Sequence, residues 1–145
     1  VFLRYFCRVN DPGPFGTLSL AYYEALRATT IPIRVLATNL ASLNVSESRW
    51  APEDLVRPVP KEYLNVVCGD NGELLRLHTI GTPNVAITAS WNGIPTELEL
   101  ASLRLYDAVI CPTPEETAIY LELGVDLAVH VEAEASILAH LLRGF

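Results

Sequence analysis

Short apolar runs return along this chain roughly every 20 to 25 residues, with amphipathic stretches between them. Two of the runs read Val-Ala-Ile-Thr-Ala (85–89) and Ala-Val-Ile-Cys (108–111), apolar throughout rather than alternating. A strand with one wet face alternates; a strand that is apolar at nearly every position is covered on both faces. Strand, helix, strand at this pitch is the pattern of right-handed crossovers onto a parallel sheet.

Residue by residue, the pattern predicts strands over Val1–Val9, Ile31–Thr38, Tyr63–Cys68, Asn84–Ser90, Asp107–Cys111 and Leu127–Val131. Helices are expected over Thr17–Ala28, Glu73–Ile80, Pro95–Leu105 and Glu134–Leu142, with another opening at Thr113-Pro114 and closed by Gly124. Thr17 or Ser19 can cap the first helix, and Thr96-x-x-Glu99 has the spacing of a capping box. Asn10–Gly16 and Asp70-Asn71-Gly72 read as turns. The stretch 39–61 has weak periodicity and reads as a long irregular connection with a short helix over Pro52–Val56. The expected fold is a three-layer α/β domain of Rossmann type, with a mostly parallel sheet of about six strands in one domain over 1–145.

Composition narrows the function. Half the chain is apolar, enough for a sizeable core and incompatible with intrinsic disorder. Ten Lys+Arg against 17 Asp+Glu give a net charge of −7, the wrong sign for a nucleic-acid backbone binder. Lys61 is the single lysine, so an anion site must use arginine, a helix N-terminus or backbone N–H groups. No stretch approaches the roughly 18 to 20 apolar residues of a membrane span, and the N-terminus lacks the order of a signal peptide. Cys7, Cys68 and Cys111 each sit in an apolar run with no Cys-x-x-Cys pair, which predicts buried free thiols and a reducing, cytoplasmic location. His78, His130 and His140 are too dispersed for a metal site. Neither Gly-x-x-x-x-Gly-Lys nor Gly-x-Ser-x-Gly occurs, and no cofactor is expected.

In such a sheet, ligands sit beyond the carboxyl ends of the strands. Gly13-Pro14-Phe15-Gly16-Thr17 lies between a strand and a helix, where glycines let backbone approach a phosphate or sugar; the same residues also suit a tight strand-to-helix turn. No acid ends the second strand, where Arg34 and Thr38 stand, so a dinucleotide site is not expected. Trp91 and Asn92 follow a core strand and offer an indole face and an amide to a sugar ring, or else cover the sheet edge. Thr113 reads first as a helix cap, and the acid pairs Glu97/Glu99 and Glu115/Glu116 as first-turn charges.

The order of these motifs resembles GT-B-fold glycosyltransferases. Asp-Pro-Gly-Pro-Phe-Gly (11–16) leading into Leu-Ala-Tyr-Tyr-Glu-Ala-Leu (20–26) is similar to that family's glycine loop and first helix. Thr-Ala-Ser-Trp-Asn-Gly (88–93) followed by Tyr-Asp-Ala-Val-Ile-Cys-Pro-Thr (106–113) and Leu-Glu-Leu-Gly-Val (121–125) is similar to the same half. The resemblance implies an N-terminal, acceptor-binding domain, incomplete as an enzyme without a second domain that holds the nucleotide-sugar donor. It places Gly13 and Gly16 toward the donor phosphates and Trp91 and Asn92 on the acceptor side, with Glu97 the nearest acid and Thr113 in the following loop. The alternative expectation is a non-enzymatic regulatory or adaptor module whose acidic surface engages a larger basic protein.

Overall fold

A computed structural model describes residues 1–39, 49–89 and 95–145. In chain order the elements are β1 (Leu3–Cys7), α1 (Pro14–Ala28), β2 (Ile33–Ala37), α2 (Pro52–Val56), β3 (Leu64–Cys68), α3 (Asn71–Leu77), β4 (Asn84–Ile87), α4 (Glu97–Leu103), β5 (Ala108–Cys111), α5 (Pro114–Glu122), β6 (Ala128–His130) and α6 (Ala135–Leu142). The six strands form one sheet in the order β2-β1-β3-β4-β5-β6, parallel at every pairing. The expected Rossmann-like α/β architecture is therefore present, and the sheet is more uniform than expected.

Alternation along the strands sorts side chains into two cores. Leu3, Tyr5 and Cys7 of β1, Val66 and Cys68 of β3, and Val85 and Ile87 of β4 face one layer with α1 and α6. Val67, Ala86, Val109 and Cys111 face the other with Leu74 of α3, Leu100 and Leu103 of α4, and Tyr120 of α5. Burying each large side chain stabilises the fold by roughly 1.5 to 3 kcal/mol, and β3, β4 and β5 are buried at every position, as apolar runs require.

Several element ends differ from expectation for local reasons. Helix α1 opens at Pro14, not Thr17; its N-cap Gly13 supplies no side-chain cap and Pro14 takes the first helical position. Helix α3 opens at Asn71, because Asp70 accepts from the Glu73 N–H while Glu73 reaches back to the Asp70 N–H, a capping box in place of a turn. Thr96 and Thr113 cap α4 and α5 as expected, and Gly124 follows α5 at φ +87°. The order in which strands are added reverses between β1 and β3: β2 lies to one side of β1, and β3 and all later strands lie to the other. That switch point opens a crevice at the carboxyl ends of β1 and β3.

Candidate functional site: a cleft beyond the carboxyl ends of the central strands

Three elements converge on the switch point. Arg8 follows β1, Asp70 and Glu73 begin α3 after β3, and Asp11 belongs to the loop entering α1. The Arg8 guanidinium donates to Glu73 Oε1 through Nη2 at 3.0 Å and Nε at 3.3 Å, and to Asp70 Oδ2 at 3.3 Å; Asp11 Oδ2 lies 3.6 Å from Nη1. The hydrogen bond with the buried Glu73 is the main reason the pKa of the Arg8 guanidinium is raised. Three carboxylates share one cation, so this cluster is net negative.

Beneath it, Ser19 ties α1 to both strands. Its hydroxyl oxygen accepts from the Arg8 N–H at 3.1 Å, its own proton points to Cys68 Sγ at 3.5 Å, and its carbonyl accepts from the Tyr5 hydroxyl at 2.9 Å. Burial pushes the Cys68 thiol up to about 11 and the Cys7 thiol well above its ordinary value, so both stay protonated and neither is a poised nucleophile.

Next to the cluster, a cleft of about 110 Å³ lies beyond the ends of β3 and β4 and beside α3, α4 and α5. Phe15, Asp70, Asn71, Leu74, Thr88, Ala89, Glu99, Ser102, Leu103 and Tyr120 line it. Leu74, Leu103 and Ala89 supply apolar surface, while Asp70, Glu99, Thr88 and Ser102 supply oxygens. Among the described residues, no Lys, Arg or His belongs to this lining. Asn71 adds an amide that can donate as well as accept.

No protein-family model matches this chain, nor does any curated protein or solved structure. The functional argument therefore rests on the site itself.

The glycine-loop residues are brought to this region in different states. Phe15 reaches the cleft wall. Gly13 caps α1, and its N–H is taken by Asp11 Oδ1 at 2.8 Å. Gly16 is buried, and a Cβ there would lie 1.9 Å from the Asp11 carbonyl oxygen, so the residue type is set by backbone contact. Thr17 is exposed and spends its hydroxyl on the Gly13 carbonyl at 3.2 Å. Thr113 accepts from the Glu116 N–H as the α5 cap, and Glu97 is exposed in the first turn of α4, outside the cleft lining. Trp91 and Asn92 lie outside the described residues.

Asp70 falls in the Gly69–Gly72 loop, one of the loops expected at the carboxyl ends of the strands, whereas Arg8, Glu73, Thr88, Glu99 and Ser102 are not among the residues expected here. Asp70-x-x-Glu73 carried a readable signal, since it has capping-box spacing. Glu99 is a first-turn acid of α4 as expected, and its side chain also joins the cleft wall. Among the described residues, no group of three or more His, Cys, Asp or Glu could hold a metal ion, and no helix is long and apolar enough to cross a membrane.

Proposed function

We propose that this chain is a glycosyltransferase-like acceptor-binding domain whose acceptor enters the cleft beyond β3 and β4. The nucleotide-sugar donor belongs to a separate donor-binding domain, and the chain does not transfer sugar by itself. One observation carries the reading: the cleft at the switch side of a parallel sheet combines an aromatic wall, a patch of apolar surface and several oxygens with no cation for a diphosphate. Arg8, the arginine beside it, is already committed to Glu73, Asp70 and Asp11. A sugar ring has the matching chemistry, with an apolar face for Phe15 and hydroxyls for the polar side.

Titration of the ¹⁵N-labelled chain with glucose, and separately with a nucleoside diphosphate, tests this. The expected result is millimolar glucose binding, with shifts centred on Thr88, Ala89 and Ser102, weakened severalfold by Phe15→Ala. Tighter binding of the nucleotide than of the sugar, or no sugar-dependent shift at about 50 mM, overturns it.

A second reading, a protein-interaction module, draws on the net charge of −7 and on exposed Leu98, Leu105, Ile119 and Leu121 on and beside α4 and α5. Recovery of one stoichiometric basic protein whose binding is lost in Leu98→Asp/Leu121→Asp would favour it over the first.

A further inference from the structure

The polarity of the cleft narrows its ligand further, and this step rests on the acceptor-binding reading above. Thr88 and Ser102 are both more than nine-tenths buried. Each has spent its proton inward: the Thr88 hydroxyl donates to the Gly69 carbonyl at 2.9 Å, and the Ser102 hydroxyl donates to the Glu99 carbonyl at 2.7 Å. Ser102 exposes no surface and only shapes the wall, while the slightly exposed Thr88 oxygen keeps lone pairs for a ligand. Asp70 is fixed as an acceptor by the Glu73 N–H and by Arg8, and retains further acceptor capacity. The Glu99 backbone N–H is taken by Thr96, while its carboxylate meets no cation among the described residues. Thr88, Asp70 and Glu99 thus present acceptors, two of them charged, and Asn71 of the same lining adds an amide that can donate as well as accept.

We propose that the cleft selects a polyol carrying an ammonium group, of the amino-sugar or aminocyclitol class, with the ammonium toward Asp70 and Glu99 and hydroxyls meeting Thr88 and Asn71. An ammonium is a donor with no acceptor capacity, and hydroxyls donate to the remaining lone pairs. Carboxylated or phosphorylated sugars would set an anion against two carboxylates, and an N-acetylated sugar would lose the charge.

The test is equilibrium titration of the full chain at about pH 6.5, where the amine of glucosamine is protonated. The probes are glucosamine, glucose, N-acetylglucosamine, glucose 6-phosphate and putrescine. Glucosamine is expected to bind about tenfold more tightly than glucose at low salt, with the advantage shrinking as salt rises. Glucose 6-phosphate is expected to bind more weakly than glucose. Glu99→Gln, which leaves the helix cap intact, should remove most of the glucosamine advantage while glucose affinity stays within twofold. Equal affinity for glucosamine and glucose overturns this inference and leaves the acceptor-cleft reading standing. Putrescine binding as tightly as glucosamine overturns the polyol requirement. Binding of none of the sugars overturns both.

Discussion

Gly16 and Gly72 both sit in the first turn of a helix, and the structure predicts opposite outcomes when each becomes alanine. On helix propensity alone, either change should stabilise by up to about 1 kcal/mol, with part of the gain coming from a less flexible unfolded chain. Space decides otherwise at Gly16. A Cβ there falls 1.9 Å from the Asp11 carbonyl oxygen and 2.6 Å from its carbonyl carbon, so the backbone must retreat by about 1 Å to reach the 3.0 Å that real contacts respect. Asp11 is not free to retreat, since its Oδ1 holds the Gly13 N–H and its Oδ2 faces Arg8. Overpacking of this kind costs about 1 to 3 kcal/mol, and a lost hydrogen bond adds about 1 kcal/mol. Set against the propensity gain, Gly16→Ala should destabilise by about 2 kcal/mol. At Gly72 the nearest atom is Asp70 Oδ1 at 3.4 Å, an ordinary contact, so Gly72→Ala should stabilise by about 0.5 kcal/mol. Urea midpoints read both signs, and thermal melts should show Gly16→Ala lower by roughly 6 °C. If Gly16→Ala is as stable as the parent, the account of the β1–α1 turn is wrong.

Asp54 is 2% exposed, accepts from the Tyr23 hydroxyl at 2.7 Å and from Arg57 Nη2 at 3.0 Å, and lies 3.4 Å from Arg27 Nε as an ion pair. Asp54→Ala should cost about 2 kcal/mol in urea unfolding, a loss set by the stranded Tyr23 hydroxyl more than by the two half-exposed arginines; a loss below about 0.5 kcal/mol would contradict that assignment. Burial raises Tyr23 to about 12 and Cys111 to about 11, and lifts Tyr5, Tyr22 and Tyr106 as well. Raised values in the folded state mean that stability from these groups is complete below their unfolded pKa values, near 9 for thiols and 10 for phenols, and is lost as pH climbs through the folded ones. Urea midpoints should therefore hold from pH 7 to about 9 and fall above it; a flat profile to pH 11 would refute the burial argument. All three cysteines should resist a thiol reagent in the native chain near pH 8 and react in about 6 M guanidinium; rapid native labelling of Cys68 would contradict its burial.

What could be read from the sequence followed from local physics. The apolar runs 66–68, 85–87 and 108–111 suit strands covered on both faces, and Thr113-Pro114 and Thr96 carry their cap chemistry within four residues. Where two local signals compete, the turn signal masks the helix: Pro14 and Gly16 open α1, and Asn71-Gly72 open α3, although both pairs look like turns. Trp50 lies in a stretch without periodicity, yet it is 2% exposed and stacks on Tyr23 with centroids 4.3 Å apart, a contact that only the tertiary fold creates. The cleft was least legible for the same reason. Arg8 and Glu73 stand 65 positions apart, and Glu99 looks like any first-turn acid until α4 is laid beside α3.

A sheet open at both sides leaves two rims of unpaired peptide groups. At β6 the rim is short, because the strand has three residues. At β2 a side chain intervenes: Arg57 Nε donates to the Ile33 carbonyl at 3.1 Å, and Arg34 Nη1 returns to the Arg57 carbonyl at 2.8 Å. A guanidinium thus sits where a seventh strand would begin to zip on, bringing a positive charge that any incoming backbone would have to displace. The same clasp that fastens the chain after α2 also keeps one molecule's sheet from growing into its neighbour's.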